Sequence, residues 1–258
     1  MSSINVSLGE VAGALGLVAV AAAVSLWRRA ELESDLGVAV LRSFVQLTAV
    51  GYVIQGIFDS DSLWVVAGLL AVMVGVGTWT ARGRAKKVPN ATVPLAIALG
   101  VAAAATIGLV VALGVFDPKP RYLVPVGGMV IGNAMTAAAV ALNRLADEVE
   151  SQVRMVEATL ALGATARQAT TGLATRSLRS GMIPVIDQTK TTGIVAFPGA
   201  MVGMLLAGAD PIDAVRLQLV LLWVLMGSVA LSAVISTSLG YRGFFTPAHQ
   251  LKEVRGDR

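Results

Sequence analysis

The sequence contains no cysteine and a single histidine, His249. The absence of cysteine excludes disulfides, thiolate zinc sites, cysteine-ligated iron–sulfur clusters and cysteine nucleophiles. One histidine is too few for a multi-histidine metal site. Charged residues are also scarce: they make up 14% of the 258 residues, against about 25% in soluble domains. With 55% hydrophobic residues and a mean hydropathy of +0.75, the composition indicates a membrane protein.

Seven segments are apolar and long enough to cross a bilayer, which takes about 20 residues. They are 8–27, 36–57, 63–81, 93–116, 122–142, 191–209 and 217–239. Outside these segments, one set of alternating loops holds 16 Lys and Arg residues and the other set holds 3. Because cytoplasmic loops are enriched in Lys and Arg, we predict an outside N-terminus and a cytoplasmic C-terminus. The net charge of +4 then reflects these loops, and no nucleic-acid partner is expected.

We therefore predict an all-α, multi-pass protein of the cytoplasmic membrane, in contact with lipid. Residues 1–258 are expected to form a single transmembrane domain with seven helices. Within it, residues 143–190 form a long cytoplasmic segment between the fifth and sixth helices, and residues 240–258 form a cytoplasmic tail.

The long cytoplasmic segment has the pattern of two helices joined by a tight turn. Apolar residues spaced by three or four run from Leu142 to Leu160, which continues the fifth helix. Gly163 is typical of a residue that ends a helix, and Thr165 with Gln168 matches a capping box that starts the next one. The second helix is predicted over 166–182, before Pro184. A hairpin lying on anionic lipid and a docking surface for a partner protein explain this pattern equally well.

The same turn resembles the coupling motif of ABC importer permeases, which inserts into a groove on the ATPase subunit. The resemblance rests on Glu157, Ala158, Gly163, Ala164 and Thr165, and Thr159 departs from the motif. Three longer strings, 42–47, 125–135 and 187–201, are similar to the Fet-type iron-export permease family. That family also includes a plant permease associated with aluminium tolerance.

The resemblance implies an ABC transporter permease that moves a metal species by alternating access and is linked to iron homeostasis. The sequence contains no Gly-x4-Gly-Lys-Ser/Thr, so it lacks a P-loop for ATP. The chain is therefore not expected to be an enzyme or to hold a cofactor. ATP and Mg²⁺ are expected in a separate P-loop ATPase subunit, with two permease copies assembled as a homodimer.

Candidate pathway residues lie in three of the predicted spans. Arg42 and Gln46 share one face of the second span, although Arg42 could instead extend to the cytoplasmic interface. Asn133 lies near the midplane of the fifth span, and Pro198 lies at a similar depth in the sixth. The pairs Gly128–Gly132 and Gly199–Gly203 predict close packing of these two helices.

Four methionines lie on the same two spans and are either soft metal ligands or core-filling side chains. They are Met129, Met135, Met201 and Met204. Iron prefers carboxylate or imidazole ligands, which these spans almost lack, so no high-affinity metal site is predicted. Asp187 and Lys190 are expected to pair at the junction between the cytoplasmic segment and the sixth span.

Two other functions fit parts of the pattern. A non-transporting scaffold or regulator would use the cytoplasmic hairpin to recruit a partner. A secondary carrier driven by an ion gradient would need carboxylates in its spans, and Glu10 is the only one predicted there.

Overall fold

The structure, a computed structural model, describes residues 7–58 and 62–252, and these residues are almost entirely helical. The helices are α1 (Leu8–Arg28), α2 (Glu33–Phe58), α3 (Leu63–Arg84), α4 (Thr92–Ala112), α5 (Pro120–Ser151), α6 (Val153–Ala161), α7 (Ala166–Thr191), α8 (Gly199–Leu206) and α9 (Pro211–Gly240). A short 3₁₀ helix, Tyr241–Phe244, follows α9. The all-α prediction is confirmed.

Helices α1 and α2 form one compact unit. A capping box starts α1, because the Ser7 hydroxyl accepts from the Glu10 amide and the Glu10 carboxylate accepts from the Ser7 amide. The turn into α2 is fixed by the Leu32 amide, which donates to Ser25 Oγ at 3.0 Å.

The helices from α3 onward form the second unit, with α5 at its centre. Helix α5 packs against α3, α4, α7 and α9, because small side chains along it let the neighbouring backbones approach. A close approach of backbone to backbone occurs at Gly181 of α7, where an added Cβ would lie 2.8 Å from the Ala137 carbonyl oxygen. Ser232 of α9 donates a hydrogen bond to the Ala134 carbonyl at 3.1 Å.

Five helices in the described residues are long and apolar enough to cross a membrane: α1, α3, α4, α5 and α9, the last together with the 3₁₀ helix. They coincide with the predicted first, third, fourth, fifth and seventh spans. The second predicted span, 36–57, is helical as part of α2 but is not among these five. The count of seven spans and the orientation remain predictions.

The predicted sixth span, 191–209, is wrong as a single helix. Helix α7 does not end before Pro184 but continues to Thr191, because Gly181 and Val185 are buried on either side of the proline and hold the helix in the bundle. The chain then turns at Gly193, whose φ of +88° favours glycine. Pro198 does not interrupt a helix but precedes the short α8. We call residues 192–198 the break.

The predicted tail folds back onto the bundle in its described part. Phe244 and Phe245 are buried in the same apolar cluster as Leu142 and Leu173. The Lys252 amide donates to the Phe244 carbonyl at 2.8 Å, which closes the fold-back. Residues 253–258 of the predicted tail lie outside the described residues.

Candidate functional site

The predicted coupling motif, residues 157–165, covers the end of α6 and the turn into α7. We call these residues the elbow. Gly163 has a φ of +89°, and its amide donates to the Leu160 carbonyl at 2.9 Å. Thr165 caps α7, since its hydroxyl accepts from the Gln168 amide and the Gln168 side chain accepts from the Thr165 amide. The glycine turn and the capping box predicted for this segment are confirmed, whereas the predicted continuation of the fifth helix to Leu160 is interrupted at Gln152, between α5 and α6.

The elbow presents its side chains to the outside. Glu157, Ala158 and Thr165 are exposed, and Ala164 is half-buried. Leu162, a large apolar side chain next to Gly163, is 90% exposed. Sequence reasoning did not single out Leu162, although its place next to Gly163 in the motif was the available signal.

A buried carboxylate fixes the two arms of the hairpin to each other. The side chain of Glu148 on α5 is only 6% exposed, and its oxygens lie 2.6 Å from Arg144 Nη2 and 2.8 Å from Arg176 Nε of α7. Gln152 Nε2 donates to the same carboxylate at 2.7 Å. Three donors therefore satisfy Glu148, and the elbow sits at the end of a rigid pair of helices. Sequence reasoning missed this cluster, of which only the i,i+4 pair Arg144–Glu148 was visible.

Two further contacts support the end of the bundle next to the elbow. Lys87 Nζ lies 2.7 Å from an Asp147 oxygen, and this hydrogen bond and the nearby negative charge raise the pKa of Lys87. Asn143 Nδ2 donates to the Arg84 carbonyl at 3.0 Å, so the α3–α4 connection is tied to α5.

A groove of about 390 Å³ lies between the start of α7 and the end of α9. Arg167 and Arg242 line it together with hydroxyl side chains, including those of Thr171 and Ser238, and with apolar ones. The groove therefore carries two positive charges close to the elbow.

Asn133 is half-buried on α5 and is satisfied within its own helix. Its Nδ2 donates to the Met129 carbonyl at 2.8 Å. Met129 packs in an apolar cluster with α3 side chains such as Leu70, and Met135 packs with Val74 and Leu99.

The other predicted pathway residues lie elsewhere in the fold. Met201 is buried and Met204 is half-buried on α8, which packs against α9. Arg42 and Gln46 are exposed on α2, in the first unit.

The predicted glycine packing between the fifth and sixth helices is wrong. A Cβ added at Gly132, Gly199 or Gly203 would meet no atom within 4 Å, and one at Gly128 would meet Met73 of α3 at 3.0 Å. The close approach to α5 comes instead from Gly181 of α7, which lies within the predicted helix 166–182.

The last turn of α7, residues 187–191, is polar. Measured along the helix axes, it lies well inside the bundle and not at one of its ends. Asp187, Gln188 and Lys190 are exposed, whereas the neighbouring threonine hydroxyls donate to carbonyls of their own helix. The expected pair does not form: the four ion pairs found among residues 7–58 and 62–252 involve neither Asp187 nor Lys190. We call residues 187–191 the polar turn.

The chain is similar to known membrane proteins over nearly its whole length. Residues 8–245 match the model of the family described as Uncharacterised protein family (UPF0014). The rice UPF0014 membrane protein STAR2 is 43% identical over 241 residues, which cover 93% of this chain and 84% of the rice protein. The Arabidopsis thaliana protein ALUMINUM SENSITIVE 3 is 40% identical over 242 residues, covering 93% and 88%.

A bacterial relative is similar along its full length. The Escherichia coli protein named Probable iron export permease protein FetB is 35% identical over 251 residues, which cover 97% of each chain. No solved structure gives a significant match. The family model spans most of the chain, and five of the described helices are long and apolar enough to cross a bilayer. This chain is therefore a membrane protein of the UPF0014 permease family.

Proposed function

We propose that this chain is the permease subunit of an ABC transporter that exports a metal species across the cytoplasmic membrane. The observation that supports this most strongly is the elbow, an exposed turn at the end of two helices that Glu148 holds together. Its sequence resembles the ATPase-binding motif of ABC permeases. The direction and the cargo are inferred from the E. coli relative, which is named as an iron export permease.

The proposed topology keeps seven crossings but changes the sixth. Helices α1, α2, α3, α4, α5 and α9 each cross once. The sixth crossing is discontinuous and consists of the upper half of α7, the break and α8. Irregular backbone at membrane depth is tolerated where it lines a cavity or is covered by protein. An odd number of crossings puts the two termini on opposite sides of the membrane, and the Lys- and Arg-rich loops place the elbow and the tail in the cytoplasm and the N-terminus outside.

In this proposal two permease copies work with two ATPase subunits, which hold the ATP and Mg²⁺. The elbow occupies a groove on the ATPase, with Leu162 as an apolar contact and Glu157 as a charged one. When the ATPase subunits close, they displace the elbow. Because the Glu148 cluster and the buried Val156 tie α6 to α5 and α7, the displacement passes to the membrane part of α7 as a rigid-body movement.

The test is affinity purification of the tagged chain from its native membranes in mild detergent, with mass spectrometry of the proteins that co-purify. Two surface variants, Glu157→Lys and Leu162→Asp, are compared with Glu150→Lys. Glu150 is an exposed carboxylate on α5 outside the elbow, so it controls for the change in charge. We expect a stoichiometric P-loop ATPase with the wild type and with Glu150→Lys, and its loss from both elbow variants.

An ATPase that stays bound to both elbow variants would contradict the coupling role of the elbow. If no ATPase co-purifies with the wild type under several gentle conditions, the ABC assignment itself fails. The metal content of the same cells separates transport from scaffolding, because a scaffold would leave it unchanged in Asn133→Leu and in the elbow variants.

A further inference from the structure

The polar turn lies level with the middle of the membrane-spanning part of the bundle. A Cβ on Gly181 would lie 3.0 Å from Ala141 Cβ of α5 and 3.5 Å from Ala233 Cβ of α9. Asp187 is six residues, or about 9 Å, further along α7, which runs antiparallel to both helices. That rise brings Asp187 level with about residue 134 of α5 and residue 227 of α9, near the centres of the predicted spans 122–142 and 217–239. Val185 agrees, since it shares a cluster with Ala137 and Val229.

Both charges of the polar turn point away from the bundle. Asp187 and Lys190 are three residues apart and so lie on one face of α7, and both are exposed. Ionised side chains at this depth are costly unless they meet an opposite charge or water. Neither forms an ion pair with the described residues of this chain. Unless water reaches the polar turn, the opposite charges come from outside the part of the chain that the structure describes.

We propose that this partner is a second copy of the chain, whose Lys190 pairs with Asp187 and whose Asp187 pairs with Lys190. The face carries one charge of each sign, so it is complementary to itself across a two-fold axis. Both copies have the same orientation in the membrane, which places the axis along the membrane normal and equivalent residues at equal depth. The rise from residue 187 to residue 190 is about 4.5 Å, which the long, flexible lysine side chain spans.

Apolar side chains beside the polar turn extend the same surface. Ile194, Val195 and Phe197 in the break are 87%, 79% and 59% exposed. Lipid would cover them but leave Asp187 and Lys190 unpaired, whereas a second copy covers both. This inference rests on the proposed homodimer. It adds to that proposal that the break and the polar turn of each copy form the walls of the transport pathway.

Mixed charge variants test the pairing between copies directly. Two differently tagged chains are co-expressed, one with Asp187→Lys and one with Lys190→Asp. Within each variant the two positions carry like charges, and each variant repels another copy of itself. Only the mixed dimer has opposite charges at both contacts. We expect sequential purification on the two tags to recover mixed dimers in roughly tenfold excess over random pairing.

Asp213→Lys co-expressed with Arg216→Asp is the matched control. Asp213 and Arg216 have the same spacing as Asp187 and Lys190, but they are exposed at the start of α9 and pair within one chain at 3.2 Å. Random pairing is expected for the control. Random pairing of the Asp187 and Lys190 variants as well would overturn the proposal and point to another segment of the same chain as the partner.

Cross-linking gives a second readout if the charge variants fold poorly. The chain has no native cysteine, so Asp187→Cys in one copy and Lys190→Cys in the other supply the only thiols. With a bifunctional thiol reagent whose arm replaces the length of the lysine side chain, we expect an inter-chain cross-link between these two positions and none between Trp64→Cys copies, which place the thiol on an exposed part of α3. Absence of the Asp187–Lys190 cross-link in membranes treated with this reagent would overturn the proposal.

The ATPase content of the same samples separates the two proposals. If the ATPase co-purifies normally while mixed dimers are not favoured, the interface assignment fails and the permease assignment stands. If mixed dimers are favoured but no ATPase is present, the interface stands and the coupling proposal fails.

Discussion

The two halves of α7 differ in whether their polar and charged side chains find partners within the chain. In the first half, Thr170 and Ser177 are buried and donate to carbonyls of their own helix, and Arg176 binds the buried Glu148. In the second half, Asp187 and Lys190 are exposed, and neither forms an ion pair with any described residue. The first half of α7 therefore has partners within the chain for these side chains, whereas the charged side chains of the second half have none among the described residues.

This difference suggests a division of work along α7. A region that is packed and fully hydrogen-bonded moves as a unit and transmits a displacement. A region whose polar groups remain unpaired has no single preferred partner within the chain, so its arrangement is set by what it contacts. In the proposed transporter, the first half of α7 suits the transmission of a movement, and the second half suits the site where the movement has its effect.

The largest effect is expected at Gly181, where the two halves meet. An added Cβ would lie 2.8 Å from the Ala137 carbonyl oxygen, so a side chain forces α7 away from α5. We expect Gly181→Ala to lower the free energy of unfolding by about 1–3 kcal/mol, and Gly181→Leu to prevent recovery of folded protein. Thermal unfolding and gel filtration in detergent measure both effects.

Gly199→Ala is the matched control, because a Cβ there meets no atom within 4 Å. Wild-type stability of Gly181→Ala would show that α7 is not packed tightly against α5. The two halves of α7 would then not move as one rigid body.

The next effect is expected at Glu148. Glu148→Ala leaves Arg176 without its carboxylate partner and removes the acceptor for Gln152, with an expected cost of about 2 kcal/mol. Hydrogen–deuterium exchange should accelerate in α6 and in the first half of α7, but not in the polar turn. Glu150→Ala removes an exposed carboxylate two residues away and should change neither quantity. Equal exchange in both variants would mean that the hairpin is held by apolar packing alone.

A smaller effect is expected at Thr165. Thr165→Val removes the hydroxyl that accepts from the Gln168 amide, and loss of such a cap costs about 1 kcal/mol. Faster amide exchange confined to residues 166–168 is the expected result. Thr171→Val serves as the control, since Thr171 is exposed and only donates to a carbonyl one turn earlier in its own helix. Faster exchange spread along all of α7 would contradict a local role.

The elbow was predictable because its signals lie within a few residues of one another. Gly163 ends one helix, and Thr165 with Gln168 starts the next, whatever surrounds them. The spans of α3, α4, α5 and α9 were predictable for a similar reason, since length and apolar composition decide them.

The break was not predictable from such signals. Residues 191–209 are apolar enough to suggest a helix, and Pro184 suggested an earlier end for α7. In the structure α7 continues past Pro184, because Gly181 and Val185 pack against the neighbouring helices on either side of the proline. The Glu148–Arg176 contact joins residues 28 positions apart, and no local pattern reports it.

The smallest effect is expected for Lys87, and it tests whether exposed ion pairs add to the rigidity of the bundle end next to the elbow. Lys87 and Asp147 pair at 2.7 Å with side chains 61% and 46% exposed, so water and salt screen the attraction. We expect Lys87→Met to lower the unfolding temperature less than any variant above, and the difference from wild type to vanish at high salt.

The pH dependence of the same variant has a definite sign. Asp147 raises the pKa of Lys87 above its ordinary value of 10.5, so the folded state binds the proton more tightly than the unfolded state. The stabilisation is therefore fully present at neutral pH and is lost as the pH rises through the raised pKa. Unfolding temperatures of the wild type and Lys87→Met should thus differ at neutral pH and converge in strongly alkaline buffer. A salt-insensitive loss as large as that of Glu148→Ala would mean that exposed pairs, rather than the buried carboxylate, hold the hairpin rigid.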